Sequence, residues 1–82
     1  MTRALAVELS KKHITVNCVS PGVIETDMTR NLIAQYRDVI TGNILCGRVG
    51  QPQDIADVVH FLISPAADYI NGQVLHVDGG ML

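Results

Sequence analysis

Ser20-Pro21-Gly22-Val23-Ile24-Glu25-Thr26-Asp27-Met28 follows directly on the apolar run Ile14-Thr15-Val16-Asn17-Cys18-Val19. The run is rich in β-branched residues and long enough for one strand, so Ile14 to Val19 is predicted to be extended. Pro21 has no N–H to offer a central ladder. Gly22 permits a backbone turn or a close ligand approach that a side chain would obstruct. A strand ending in such a loop suits the edge at which open α/β sheets hold their ligands.

Upstream, Arg3 to Lys12 places apolar groups at Ala4, Leu5, Val7 and Leu9, with Glu8 and Lys12 at i,i+4, and reads as an amphipathic helix. Lys11-Lys12-His13 suit the negative end of its dipole. Downstream, Met28 to Ile40 is predicted to form one or two short helices, with turns at Thr41-Gly42-Asn43 and Gly47. Gln51-Pro52-Gln53-Asp54 then starts a helix, with Pro at its first position, a carboxylate in its first turn, and Ile55, Val58, Val59 and Leu62 at helical spacing. Ser64-Pro65 ends it, Asn71-Gly72 turns the chain, and Gln73 to Val77 reads as a short strand before Asp78-Gly79-Gly80. The predicted order is helix, strand, lid helices, helix, strand, an α/β arrangement whose two strands should run parallel.

Eighty-two residues make at most one small domain, which would bury roughly 60–65% of the surface its unfolded chain exposes. Hydrophobic residues at 48% against 17% charged exceed what a lone domain of this size needs, and two strands leave an unpaired edge, so further neighbours are expected. The net charge of −2 is spread along the chain without a basic stripe, which argues against nucleic acid as a partner. No apolar stretch reaches the roughly 18 residues of a membrane span, and no secretory leader pattern opens the chain, so a cytoplasmic protein is expected. Cys18 and Cys46 are expected to be reduced thiols, and His13, His60 and His76 lack the spacing of metal ligands, so no metal is predicted.

Taken together, Ala4 to Leu9, Ile14 to Asn17, Pro21 to Thr26, Gly47-Arg48 and Asp78-Gly79-Gly80 resemble the short-chain dehydrogenase/reductase family along the whole chain. Ile24 to Met28 and Leu75 to Met81 are similar to its 3-oxoacyl-acyl-carrier-protein reductase branch. Leu45, where related chains often carry Pro, and Asn71, where Thr or Ser is usual, depart from that pattern. The resemblance implies that residues 1–82 form the C-terminal part of a doubly wound Rossmann-like parallel sheet, with a substrate lid at 28–46 and the N-terminal cofactor-binding part lying outside them. It implies a nicotinamide cofactor, NADP in preference to NAD, held mainly by that N-terminal part. Pro21, Gly22 and Val23 would lie against the nicotinamide ring, the backbone groups of Ile24 on its carboxamide, and the Thr26 hydroxyl beside them. The implied reaction reduces a carbonyl, a 3-oxoacyl thioester of acyl-carrier protein in fatty acid biosynthesis, in a tetramer.

No catalytic residue can be carried over, because the family's Tyr-x-x-x-Lys fails at both tyrosines: Ile40 follows Tyr36 four places on, and Gln73 follows Tyr69. No Gly-rich cofactor turn is present either. The 82-residue chain is therefore expected to be inactive alone. Two alternatives stay open: a self-associating non-enzymatic fragment, and a family member acting on a sugar, steroid or other secondary alcohol. Glu25 and Asp27 read as solvated carboxylates, Arg48 as a structural ion-pair partner. Met28, Leu32, Ile33 and Tyr36 suit a lid or simple packing equally.

Overall fold

A computed structural model describes all 82 residues. Helix α1 spans Thr2–Ser10, strand β1 Cys18–Pro21, helix α2 Arg30–Gly42, helix α3 Pro52–Leu62 and strand β2 Val74–Val77, with one 3-10 turn at Pro65–Ala67. The two strands pair in parallel, Cys18 opposite Val74 and Pro21 opposite Val77.

The first strand starts later than its β-branched composition suggests. Ile14 to Asn17 lie outside it, because their polar groups are engaged by the turn that precedes β2. Val16 N–H donates to Asn71 Oδ1 at 2.9 Å, the Asn17 amide donates to the Ile70 carbonyl at 3.1 Å, and Gln73 N–H donates to Asn17 Oδ1 at 3.0 Å. Asn17 and Asn71 thus act as side-chain substitutes for ladder bonds, and regular pairing begins only at Cys18, whose N–H donates to Gln73 at 2.8 Å. Pro21 closes β1 as its last residue instead of standing beyond it.

Helix α1 ends by a left-handed residue, His13 at φ 58°, with Ile14 N–H reaching back to the Leu9 carbonyl. Glu8 and Lys12 form no ion pair, since the helix stops at Ser10 and Lys12 is no longer on its face. The single helix α2 carries non-helical dihedrals at Tyr36, which makes it two short helices joined at a kink and extends it into the turn expected at Thr41-Gly42. Helix α3 begins as its sequence dictates. Pro52 occupies the first turn and Asp54 Oδ2 accepts the Gln51 N–H at 2.7 Å, so one orphan donor is satisfied by a side chain.

The core is small. Only Ala6, Ile33, Ile44, Val49 and Ala67 are buried, and Ile33, Ile44 and Val49 form one cluster with Val23 and Ile40 packed against it. β1 is only half-buried and no residue of α3 is buried at all. Cys18 is half-buried, Cys46 is exposed, and neither is bonded to the other. The radius of gyration is 15.4 Å, against about 12 Å for a compact domain of this length. The accessible surface is 6119 Å², against about 4,800 Å² for a folded monomer of this mass. The apolar surplus read from composition therefore lies at the surface, including Val59, Phe61 and Ile63 at the end of α3 and beyond it. No helix is long and apolar enough to cross a membrane.

Candidate functional site

The loop after β1 is held at the carboxyl end of both strands by three neighbours. Gly22 N–H donates to Val77 at 3.1 Å, which continues the parallel pairing one residue past the strand. Gly50 N–H donates to Val23 and Glu25 N–H to Gly50, at 2.9 and 2.8 Å, closing a parallel bridge between Ile24 and Gly50. In such a bridge the middle residue's own N–H and C=O face the opposite edge. The Ile24 carbonyl there accepts from the Thr29 hydroxyl at 2.6 Å. The N–H groups of Val23 and Ile24 form no hydrogen bond within the chain.

Gly22 is required here by the protein itself. A Cβ at this position would stand 2.7 Å from Asp78 Cβ and 2.9 Å from Asp78 Cα, well inside van der Waals contact. Of the two uses read from sequence, a backbone turn or a close ligand approach, the Cβ side of Gly22 serves a close approach by the end of β2. Beyond it, Asp78 Oδ1 accepts the Gly80 N–H at 2.9 Å, and Gly79 and Gly80 take positive φ values of 64° and 79°. Their carbonyls receive the N–H groups of Cys46 and Leu45. Asp78-Gly79-Gly80 is thus a turn that fastens the 44–46 segment beneath the loop.

Arg48 does not point into a substrate site. Its guanidinium makes a two-point pair with Asp54, Nη1 to Oδ2 at 2.9 Å and Nη2 to Oδ1 at 3.3 Å, and also donates to the Val49 carbonyl. The pair ties the segment before α3 to the first turn of α3. The hydrogen bond from Arg48, followed by that from the Gln51 backbone, holds the Asp54 carboxyl below its ordinary value of 3.8, while the bond and charge of Asp54 raise Arg48. A carboxyl lowered on folding contributes stability that is complete above the unfolded value and is lost as pH falls through the folded one. Acid titration should therefore weaken the protein below about pH 3.8 through this pair, and Asp54→Asn should flatten that part of the profile, as followed by thermal melts in acidic buffers. An unchanged acid limb in the variant would remove Asp54 from this role. The pair is exposed, so the effect is small and falls with salt.

Glu25 accepts from Gln51 at 3.2 Å and lies 3.9 Å from Arg30, which also pairs with Asp27 at 3.2 Å. These carboxylates are braced at the surface, as solvated loop groups are. The four lid candidates separate. Ile33 is buried in the small core, whereas Met28 is 95% exposed and Leu32 and Tyr36 are about half exposed, so only the last three are free to meet a ligand.

A cavity of about 50 Å³ lies under the loop, lined by Val23, Ile24, Arg48, Gly50, Val77 and Asp78 among others. Its volume is room for one or two waters, far less than a ring-sized ligand requires. Pro21, Gly22 and Thr26 do not line it. The opposite side of the loop presents the free Ile24 N–H, the Ile24 carbonyl and the Thr26 hydroxyl. That set, a donor beside acceptors on a rigid turn, fits a primary carboxamide, which needs one donor for its oxygen and acceptors for its two N–H bonds.

The sequence pattern of the family described as Enoyl-(Acyl carrier protein) reductase matches residues 1–82. A crystal structure of a short-chain dehydrogenase/reductase, glucose/ribitol dehydrogenase, from Brucella melitensis superposes with a TM-score of 0.92 at 45% identity, covering 100% of this chain and 33% of the other. The chain belongs to the short-chain dehydrogenase/reductase family. Among its relatives, the 3-oxoacyl-[acyl-carrier-protein] reductase FabG of Rickettsia bellii is 50% identical over 82 residues, covering 100% of this chain and 34% of that protein. The Vibrio harveyi reductase of the same name is 49% identical over 80 residues, covering 98% and 33%. An Agrobacterium tumefaciens member with bound NADP has a TM-score of 0.88 at 44% identity, covering 96% of this chain and 33% of its own. The chain thus spans about a third of the length of the curated relatives it matches. Within the short-chain dehydrogenase/reductase fold, the parallel α/β unit described above is what that third supplies.

Proposed function

We propose that residues 1–82 are the nicotinamide-positioning and substrate-lid part of an NADPH-dependent reductase that converts 3-oxoacyl thioesters of acyl-carrier protein to 3-hydroxyacyl thioesters. The observation that carries this reading is the unpartnered N–H group of Ile24, presented beside the Ile24 carbonyl and the Thr26 hydroxyl at the carboxyl ends of two parallel strands. In a doubly wound sheet this edge is where a cofactor lies. Pro21, Gly22 and Val23 supply the rigid surface for the ring, Ile24 its carboxamide contacts and Thr26 the hydroxyl contact. When bound, the nicotinamide supplies hydride to the substrate carbonyl carbon.

What this chain contributes is orientation. A carboxamide fixed at three points cannot rotate, so one face of the ring is committed to the substrate. The tyrosine and lysine that move the proton belong to the other two thirds of the assembly, as does the cofactor's phosphate site. Met28, Leu32 and Tyr36 on α2 suit an acyl chain, with the kink at Tyr36 giving the lid a point of flexure. The surfaces of α1 and β2 suit association into a tetramer. Support for the acyl substrate comes from the two reductases, at 50% and 49% identity over the full chain. The polyol dehydrogenase likeness favours a sugar alcohol as the second reading, at 45% identity.

Supplying the missing two thirds tests this directly. The chain is co-expressed with, or fused to, the preceding two thirds of the Vibrio harveyi reductase, and oxidation of NADPH is followed with acetoacetyl thioester and with a polyol plus NADP. Thioester-dependent oxidation is the expected result. A folded assembly that turns over only the polyol would replace the substrate class, and one that binds no NADPH would overturn the cofactor reading as well.

A further inference from the structure

The loop from Ile24 to Thr29 is closed by a single hydroxyl. Thr29 Oγ1 lies 2.6 Å from the Ile24 carbonyl oxygen, 2.8 Å from the Thr26 nitrogen and 3.2 Å from Thr26 Oγ1. A threonine hydroxyl has one proton and two lone pairs. A carbonyl can only accept and an N–H can only donate, so the Thr29 proton goes to Ile24 and one lone pair receives the Thr26 N–H. The Thr26 carbonyl, 3.4 Å from Thr29 Oγ1, is the weaker claimant, since it already accepts the N–H groups of Thr29 and Arg30. One lone pair then remains on Thr29, and it faces the Thr26 hydroxyl. Thr26 is therefore the donor in that contact, and its own lone pairs are left turned outward.

Thr29 also stands at the N-cap position of α2, where a threonine hydroxyl ordinarily accepts an N–H of its own helix. Here it makes no such bond and is turned back into the loop. A helix cap has been given up for control of the preceding turn.

We propose that Thr29 is a positioning residue that fixes Thr26 as a hydrogen-bond acceptor and locks the Ile24 carbonyl, and so selects one of the two orientations of the cofactor carboxamide. The amide N–H bonds are directed to Thr26 and to the remaining lone pair of Ile24, and the amide oxygen to the free Ile24 N–H. The proposal rests on the nicotinamide reading above.

Its test is equilibrium binding to the assembled protein, by fluorescence titration, of NADP and of the 3-acetylpyridine analogue, whose methyl group replaces the amide NH2. The unsubstituted protein should prefer NADP by at least about tenfold, since the analogue lacks both N–H bonds directed to Thr26 and Ile24. Thr29→Val should bring the ratio close to one, and Thr29→Ser, which keeps the hydroxyl, should restore it. A merely structural role would weaken both ligands equally and leave the ratio unchanged. A Thr29→Val protein with the original ratio overturns the proposal while leaving the nicotinamide reading intact, whereas failure of the unsubstituted protein to bind NADP overturns both. Should Thr29→Val fail to fold, Thr29→Ala, which removes the same hydroxyl with less bulk beside Ile24 and Thr26, must bring the ratio close to one, and a retained ratio there rejects the proposal.

Discussion

Gly22→Ala should destabilise the assembled protein by about 1–3 kcal/mol, the usual cost of forcing a group into a filled space. The added methyl would meet Asp78 Cβ at 2.7 Å and Asp78 Cα at 2.9 Å. Because the second atom is backbone, no rotamer change relieves the clash, and the end of β2 must move. That movement opens the hydrogen bond from Gly22 to Val77 and shifts the Asp78-Gly79-Gly80 turn, to which Leu45 and Cys46 are bonded. Loss of stability should thus come with weaker cofactor binding, since the same turn supports the loop from below. Gly42→Ala is the control. Nothing lies within 4 Å of a Cβ there, and the residue closes a helix, so alanine should leave stability unchanged or raise it by about 0.4–1 kcal/mol. Urea denaturation of the two variants separates them. Equal midpoints would show that β2 yields to a methyl group, and the close approach would lose its significance.

The second large effect concerns the chain without partners. With five residues buried and a surface well above that of a compact monomer, the isolated 82-residue chain should associate and bind a hydrophobic dye strongly. The open groove of about 400 Å³ between β1 and α3, lined by Val16, Val19, Val59, Leu62 and Ile63 among others, is one contributor. The free edge of β1 is another, because unpaired backbone groups recruit strands from neighbouring chains. Sedimentation should show oligomers growing with concentration, and addition of the other two thirds of the domain should abolish dye binding and replace the open-ended association with an assembly of one fixed size. A stable folded monomer in sedimentation would contradict the prediction and show that this small core suffices.

Residue types and spacing determined a good part of what is described here. Pro52 and Asp54 announce the start of α3, because proline and a first-turn carboxylate satisfy local requirements that no distant contact needs to supply. The parallel pairing of β1 and β2 follows from the helix-containing crossover between them. The family was legible through the length of the match, and the loop from Pro21 to Thr26 was legible as the end of a strand followed by a turn. The beginning of β1 was not legible. Composition favoured Ile14, but Asn17 and Asn71, more than fifty residues apart, meet and take over the backbone groups that a strand would have used.

Three partners were settled only in the folded chain. Gly22 is required by Asp78, far away in sequence, while Arg48, read as an ion-pair partner, pairs with Asp54, and Thr29 turns from its helix to Ile24 and Thr26. Local rules assign each residue the partners its neighbours offer, whereas a hydroxyl proton, a guanidinium or an empty Cα face goes to whichever group the fold brings nearest. The sequence by itself determined the α/β order, the family and the place of the loop after the first strand. Only the tertiary structure decided which side of that loop keeps its polar groups free, since the bridge to Gly50 consumes one side and leaves the Ile24 N–H on the other.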